Sequence, residues 1–311
     1  FLVNLSICIG FSTLQAQNPF VIDSTLSSIF LHTNTHSIAN TIQIADVNND
    51  TINDLILSGY DSTRFGVFFD VIHGNSDGSL SVATQSNFIT FTDTIAKYIG
   101  GIGGIDLVDV NRDGWIDAYL TGSAQSKVFI NSGGLFSPST KLESMTLTYS
   151  DGKWGDVNMD GLPDLFIMGA DQIQDVIINE LYINDGINLN KDESTIFPGL
   201  FNGSSIWGDY DNDGDLDLII GGTNYYGWRR LTLYKNENGE FFQDTNQTLT
   251  PIFPCITAWS DVNNDGYLDL IASGADSATQ TLKTYVYLND STHTLTESLN
   301  WNIHFGVTAG A

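Results

Sequence analysis

Five stretches of the chain set oxygen-bearing side chains at positions 1, 3, 5 and 9 of a nine-residue turn. They are Asp46, Asn48, Asp50 and Asp54; Asp109, Asn111, Asp113 and Asp117; Asp156, Asn158, Asp160 and Asp164; Asp209, Asp211, Asp213 and Asp217; and Asp261, Asn263, Asp265 and Asp269. Position 7, occupied by Ile52, Trp115, Leu162, Asp215 and Tyr267, is expected to turn its backbone carbonyl inward. Carboxylate, amide and carbonyl oxygens at this spacing make a cage of hard donors. Calcium takes six to eight such oxygens at about 2.3–2.6 Å in a flexible geometry, and each turn with one added water meets that need. No His or Cys is interleaved, which argues against zinc, copper or iron. The expectation is about five structural Ca²⁺ ions.

An EF-hand has similar spacing but needs a bidentate Glu at position 12 and an exiting helix. Here position 12 is Leu57, Leu120, Ile167, Ile220 and Ala272, and runs such as LIIGG read as buried strands. The EF-hand and dockerin readings therefore fail. The first loop departs from its relatives in carrying Thr51 where they have Gly114, Gly161, Gly214 and Gly266. Gly accepts a left-handed turn and a β-branched residue resists it, so this loop is expected to bind metal most weakly. The fourth loop, with Asp211 in place of Asn, carries the most negative charge and is expected to bind tightest.

The elements that hold these loops repeat with them. Successive first Asp residues lie 63, 47, 53 and 52 positions apart, the length of a four-stranded blade. Each loop is followed by an aromatic run ending in Asn and a turn, as in KVFINSGG, ELYINDG and TLYKNENG, which is a hairpin signal. From that Asn to the next loop is 25 residues in three cases, Asn131 to Asp156, Asn184 to Asp209 and Asn236 to Asp261. From Asn75 to Asp109 it is 34, which places an insertion around Phe88 to Gly101. A blade reads as strand 1 entering the acidic loop, strand 2 leaving it, strand 3 as the aromatic run and strand 4 after the turn. Trp154, Trp207 and Trp259, two residues before their loops, are assigned to packing between blades.

The fold expected is thus an all-β propeller of four-stranded blades, with five full repeats and the start of another near Phe305 to Ala311. Seven blades are expected in a closed ring, with Asn18 to Ala45 supplying outer strands that close it. Residues 1–17 read as the end of a signal peptide and 18–311 as the propeller. No later segment is apolar for long enough to be a membrane span. Cys8 falls in the signal segment, leaving Cys255 unpaired, so metal ions rather than disulfides would brace the fold. A net charge of −26 argues against nucleic acid, which needs clustered Lys and Arg.

The run IWGDYDNDGDLDLIIGG and its relatives resemble the FG-GAP or VCBS-type repeat of bacterial surface proteins and of the integrin α-subunit propeller head. The resemblance implies a propeller with calcium loops between strands 1 and 2 on one face and partners bound on the opposite face. Hairpin parity points the same way, because the connections 2–3 and 4–1 must lie opposite the loops. There the sequence places Tyr225, Tyr226, Trp228, Arg229 and Arg230, a cluster of the kind enriched at recognition surfaces.

The leading functional reading is a secreted or cell-surface binding or adhesion module for protein or glycan. The alternatives are the propeller of a polysaccharide lyase or hydrolase, or a structural spacer in a larger surface protein. His32, His36, His73, His293 and His304 show no paired spacing, and GxSxG, HExxH and Walker motifs are absent. No catalytic residue is assigned.

Overall fold

The computed structural model describes residues 37–61, 66–82, 104–122, 126–171 and 174–298. The expected signal segment, the insertion at Phe88 to Gly101, the partial repeat at Phe305 to Ala311, and His32, His36 and His304 lie outside the described residues. So does most of the segment from Asn18 expected to close the ring.

Among the described residues there is no helix, and twenty strands form five antiparallel sheets of four strands each. Blade 1 comprises β1 (Ser37–Ala45), β2 (Asp54–Asp61), β3 (Gly66–Gly74) and β4 (Leu80–Val82). Blade 2 comprises β5 (Ile105–Val108), β6 (Asp117–Leu120), β7 (Lys127–Ser132) and β8 (Leu135–Pro138). Blade 3 comprises β9 (Leu147–Gly155), β10 (Asp164–Asp171), β11 (Val176–Asn184) and β12 (Leu189–Lys191). Blade 4 comprises β13 (Phe201–Gly208), β14 (Asp217–Thr223), β15 (Arg229–Glu237) and β16 (Glu240–Gln243). Blade 5 comprises β17 (Ile252–Ser260), β18 (Asp269–Asp276), β19 (Leu282–Leu288) and β20 (Thr296–Glu297).

Every sheet is ordered 1-2-3-4, so each strand pairs only with its chain neighbour. The first strands of successive blades lie against one another, as in β9, β13 and β17. This is a β-propeller. Ser37–Ala45 corrects one expectation: it pairs with β2 as the first strand of its own blade rather than as an outer strand closing a ring. It leads straight into the first acidic loop, and a strand in that place must belong to the loop's own hairpin.

No blade has a core of its own. The apolar residues gather in four clusters, each shared by two successive blades. Phe166 and Met168 of blade 3 pack with Leu218, Ile220 and Tyr234 of blade 4, for example. Strands β10 and β14 are buried along their whole length, because both their faces are covered by neighbouring blades. The tryptophans sit where the sequence assigns them. Trp207 of blade 4 meets Phe166 of blade 3 edge-on at 6.2 Å, and its indole N–H donates to the Lys153 carbonyl at 3.1 Å. A Cβ at Gly208 would come within 2.6 Å of the Trp259 ring, so the WG pairs interlock, each Gly making room for the next blade's Trp.

A second tie between blades is polar. The side-chain amide of Asn131 donates to Val47 O in blade 1, that of Asn184 to Val110 O in blade 2, and that of Asn236 to Val157 O in blade 3. Asn289 reaches Tyr210 O in blade 4 at 2.6 Å. Each strand-3 Asn therefore clasps the acidic loop of the preceding blade, and the amide of Asn236 is fully buried. Blade 1 carries Gly74 at this place, since the Gly74 N–H takes the same hydrogen bond that the Asn backbone makes elsewhere. The strand-end equivalent in blade 1 is therefore Gly74 rather than Asn75, which belongs to the following turn and bonds Ser79.

Replacing Asn236 with Ala leaves the buried carbonyl of Val157 and the partly buried one of Leu216 without this donor. An unsatisfied buried group costs about 1–3 kcal/mol, so calorimetry is expected to show Asn236→Ala melting several degrees below the parent. Asn190→Ala, which removes an exposed bond to Asp185, is expected to melt with the parent.

Candidate metal centres

The five acidic loops join strand 1 to strand 2 of each blade and share one hydrogen-bonded plan. The carboxylate at position 1 accepts the amide N–H of position 6 in all five, at 2.7 Å from Thr51 and 2.8 Å from Gly161, for instance. The carboxylate at position 5 accepts the N–H of position 7. These bonds bend the chain back on itself between positions 1 and 7.

The last Asp of each loop is the most constrained. Asp54, Asp117, Asp164, Asp217 and Asp269 are at most 1% exposed, and each accepts two backbone N–H groups. One oxygen takes the N–H of loop position 2, from Val47, Val110, Val157, Tyr210 and Val262. The other takes the N–H at the end of strand 3, from Gly74, Asn131, Asn184, Asn236 and Asn289. A carboxylate so placed fastens strands 1, 2 and 3 at the mouth of the loop.

Burial leaves three of these carboxylates in want of positive charge. Desolvation, only partly offset by the two N–H donors, pushes Asp117 and Asp164 up to about 6 and Asp217 up to about 8. Asp209 is also raised by desolvation. In loop 4 one carboxylate oxygen from each of Asp209, Asp211 and Asp217 lies within 4.8 Å of the others. Asp211 Oδ1 is buried without a partner, as is Asp156 Oδ1 in loop 3. Converging desolvated carboxylates and orphaned oxygens fit a hard divalent cation.

Two features of the loops are not visible as sequence signals. Position 4 is left-handed in every loop, with φ of 57° at Asn49, 59° at Arg112, 57° at Met159, 57° at Asn212 and 60° at Asn264. Asn tolerates this region and Arg or Met does so at a cost. Thr51 is indeed held left-handed, at φ 72°, in the place its relatives give to Gly. Position 4 also reaches to the next loop: Asn49 donates to Gly114 O, Arg112 to Asp160 O at 3.4 Å and Asn212 to Gly266 O. Met159 has no donor to offer, and its side chain is left exposed.

Lys235 of β15 stands 2.8 Å from Asp211 and 3.3 Å from Asp213, so the extra carboxylate of loop 4 is met by an ammonium. In loop 1, His73 Nδ1 lies 3.2 Å from Asp54 Oδ1 and 3.2 Å from Asn48 Nδ2.

The residues expected to bind a partner lie at the other end of the blades. Asn224 Oδ1 accepts the N–H groups of Tyr226 and Trp228, which ties the β14–β15 turn into a fixed shape. Tyr225 is 49% exposed, Tyr226 86% and Trp228 64%, and Arg230 is exposed too. Arg229 is drawn inward instead, its guanidinium lying over the Phe253 ring and bonding Gln280. The rings of Tyr149, Phe201 and Tyr225 follow one another at 6.2 and 5.1 Å.

At the same end is a cleft of about 440 Å³ that sequence reasoning did not anticipate. Its walls include Tyr149, Asp151, Lys153, Asn202, Ser204 and Thr257, from the first strands of blades 3, 4 and 5. Those strands carry register irregularities there, between Phe201 and Ser204 in β13 and between Phe253 and Ile256 in β17. A bulge bends its strand and increases the local twist, and a single sequence does not announce it.

Repeated four-stranded blades with an acidic loop between strands 1 and 2 define the class of propellers that carry oxygen-rich loops on one end. The profile described as FG-GAP-like repeat matches residues 109–167, 156–220 and 209–272, together more than half of the chain. The chain belongs to the FG-GAP-like repeat family. No curated protein matches it. Among solved structures it is similar to an Agrocybe aegerita lectin that recognises non-reducing terminal N-acetylglucosamine, at 16% identity and TM-score 0.53, covering 87% of this chain and 70% of the lectin. It also aligns with the V. cholerae biofilm matrix protein Bap1 at 16% identity and TM-score 0.48, covering 88% of this chain and 41% of that one. The likeness to the lectin concerns the fold alone. Among the described residues no helix is long and apolar enough to cross a membrane.

Met159→Asn supplies both a residue suited to the left-handed position and the missing donor toward loop 4. Relief of the left-handed penalty is worth about 1 kcal/mol, and the variant is expected to melt about 2–4 °C above the parent.

Proposed function

We propose that this chain is a calcium-braced recognition module, exported from the cell, that binds a glycan or protein at the end of the propeller away from its acidic loops. The observation that carries this reading is the division of labour between the two ends. One end holds five closed, acidic loops whose buried carboxylates call for cations. The other holds a hydrogen-bonded turn with three exposed aromatic rings and a cleft of about 440 Å³ lined by both polar and apolar groups, linked by the row from Tyr225 through Phe201 to Tyr149.

Each loop would hold its ion through positions 1, 3, 5 and 9 and the carbonyl of position 7. The ion supplies the charge that the desolvated carboxylates lack. The chain's own part is to fix those oxygens in advance, by the N–H bonds at positions 1, 5 and 9. Exposed aromatic rings on an ordered turn offer flat apolar area at low entropic cost, which suits the faces of sugar rings and the apolar anchors of protein surfaces. The cleft adds hydroxyls, an amide and the Asp151–Lys153 ion pair, a lining able to exchange hydrogen bonds with a polar ligand. The same fold serves glycan recognition in the A. aegerita lectin, which makes glycans the first class to test.

Calcium is expected to raise the melting temperature by ten degrees or more over the chelated protein, and identical melts with and without chelator would contradict the brace. On a glycan array, the double variant Tyr226→Ala/Trp228→Ala is expected to lose at least tenfold in signal for whatever the parent binds while melting like the parent. A parent that binds no glycan, tested next against extracellular proteins by surface capture, would remove the glycan half of the proposal.

A further inference from the structure

In four of the five loops the Asn at position 3 does two things at once. Its Oδ1 accepts the N–H of position 5, at 2.9 Å in loop 1 and 3.0 Å in loop 2. Its amide nitrogen donates to the position-5 carboxylate, at 3.0 Å from Asn48 to Asp50, 3.0 Å from Asn111 to Asp113, 3.1 Å from Asn158 to Asp160 and 2.9 Å from Asn263 to Asp265. That donation offsets the repulsion among neighbouring acidic groups and fixes how the side chain is turned.

Asp211, the residue at position 3 of loop 4, has no N–H to give. A carboxylate there would face Asp213 with nothing between them. The gap is filled from another strand: Lys235 Nζ lies 2.8 Å from Asp211 Oδ2 and 3.3 Å from Asp213 Oδ2, joining the two carboxylates as the Asn amide does elsewhere. The Asp211 side chain is only 7% exposed, and its other oxygen, Oδ1, is buried without a partner beside Asp209 and Asp217. Lys235 immediately precedes the clasping Asn236, and the residues in this place in the other blades are His73, Ile130, Ile183 and Leu288. A Lys thus stands in the one described blade whose loop has a carboxylate at position 3.

We propose that Asp211 and Lys235 work as one charge-balanced unit in place of the Asn found in the other loops. Lys235 is the positioning residue of the pair. It turns Asp211 so that one oxygen is left for the ion, keeps Asp211 and Asp213 together when no ion is bound, and brings the calcium affinity of loop 4 down to that of its neighbours. Loop 4 is then not the tightest site that its four carboxylates alone would make it. This rests on the calcium reading of the loops.

The test is a calcium titration of the full chain followed by NMR at the loop amides of Gly114, Gly161, Gly214 and Gly266, which reads each loop separately. In the parent, Gly214 is expected to titrate within about threefold of the others. Removing a unit positive charge a few ångströms from the ion is worth about tenfold in a well-solvated site, so Lys235→Leu is expected to tighten the Gly214 transition alone by about that factor. Asp211→Asn is expected to weaken it by about tenfold, since an ammonium is left facing the ion. The double variant Asp211→Asn/Lys235→Leu recreates the Asn and Leu of blade 5 and is expected to return to within about threefold of the parent. In chelator, Lys235→Leu is expected to melt below the parent and the double variant to recover.

A Gly214 transition that Lys235→Leu leaves unmoved, or a double variant that fails to recover in calcium affinity, overturns this inference and leaves the calcium reading standing. A parent that takes up no calcium at any loop overturns both.

Discussion

Everything in this propeller hangs from one kind of group, a carboxylate buried at the end of each acidic loop. Asp217 is out of contact with water, yet its two oxygens hold the N–H groups of Tyr210 and Asn236. Those two bonds close the mouth of the loop and set the end of strand 3. The same Asn236 then turns its side chain to the preceding blade and grips Val157 O. Local geometry, the shape of the loop and the contact between blades are therefore one network. Desolvation and the nearby carboxylates of Asp211 and Asp213 resist the charge on Asp217 while its two N–H donors favour it, a conflict of the kind that a bound cation relieves.

The network also explains why the blades depend on one another. Apolar residues are pooled between neighbours instead of within a sheet, the WG pairs interlock, and Asn49, Arg112 and Asn212 tie one acidic loop to the next. A structure whose units each contact only adjacent units is stabilised by interfaces more than by the units themselves. This leaves the far ends of the blades free to vary. The turn bearing Tyr226 and Trp228 and the bulges of β13 and β17 alter that end without disturbing the loops.

Much of this could be read from the residues because repetition amplifies weak signals. One Asp-rich turn says little, but five at blade spacing fix the order of strands, the positions of the loops and the packing role of Trp154, Trp207 and Trp259. What escaped the sequence is whatever depends on register between distant segments. Asn131, Asn184 and Asn236 announce a hairpin, while their grip on the preceding blade appears only once blades are stacked. Arg112 and Met159 give no sign that their position is left-handed. Lys235 is an unremarkable strand residue until the pairing of β14 with β15 brings it to Asp211 and Asp213 of loop 4, a contact that a count of carboxylates leaves out. The cleft lies where first strands carry bulges and was not legible either, and Gly74 shows how a neighbouring Asn75 can mislead an alignment by one place.

The Asn clasp has a direction. Each one reaches from a later blade to an earlier one: Asn131 to blade 1, Asn184 to blade 2, Asn236 to blade 3 and Asn289 to blade 4. A chain made from its N-terminus therefore presents each finished loop to a clasp that has not yet been synthesised. Every blade after the first thus supplies the bond that completes the acidic loop of the one before it.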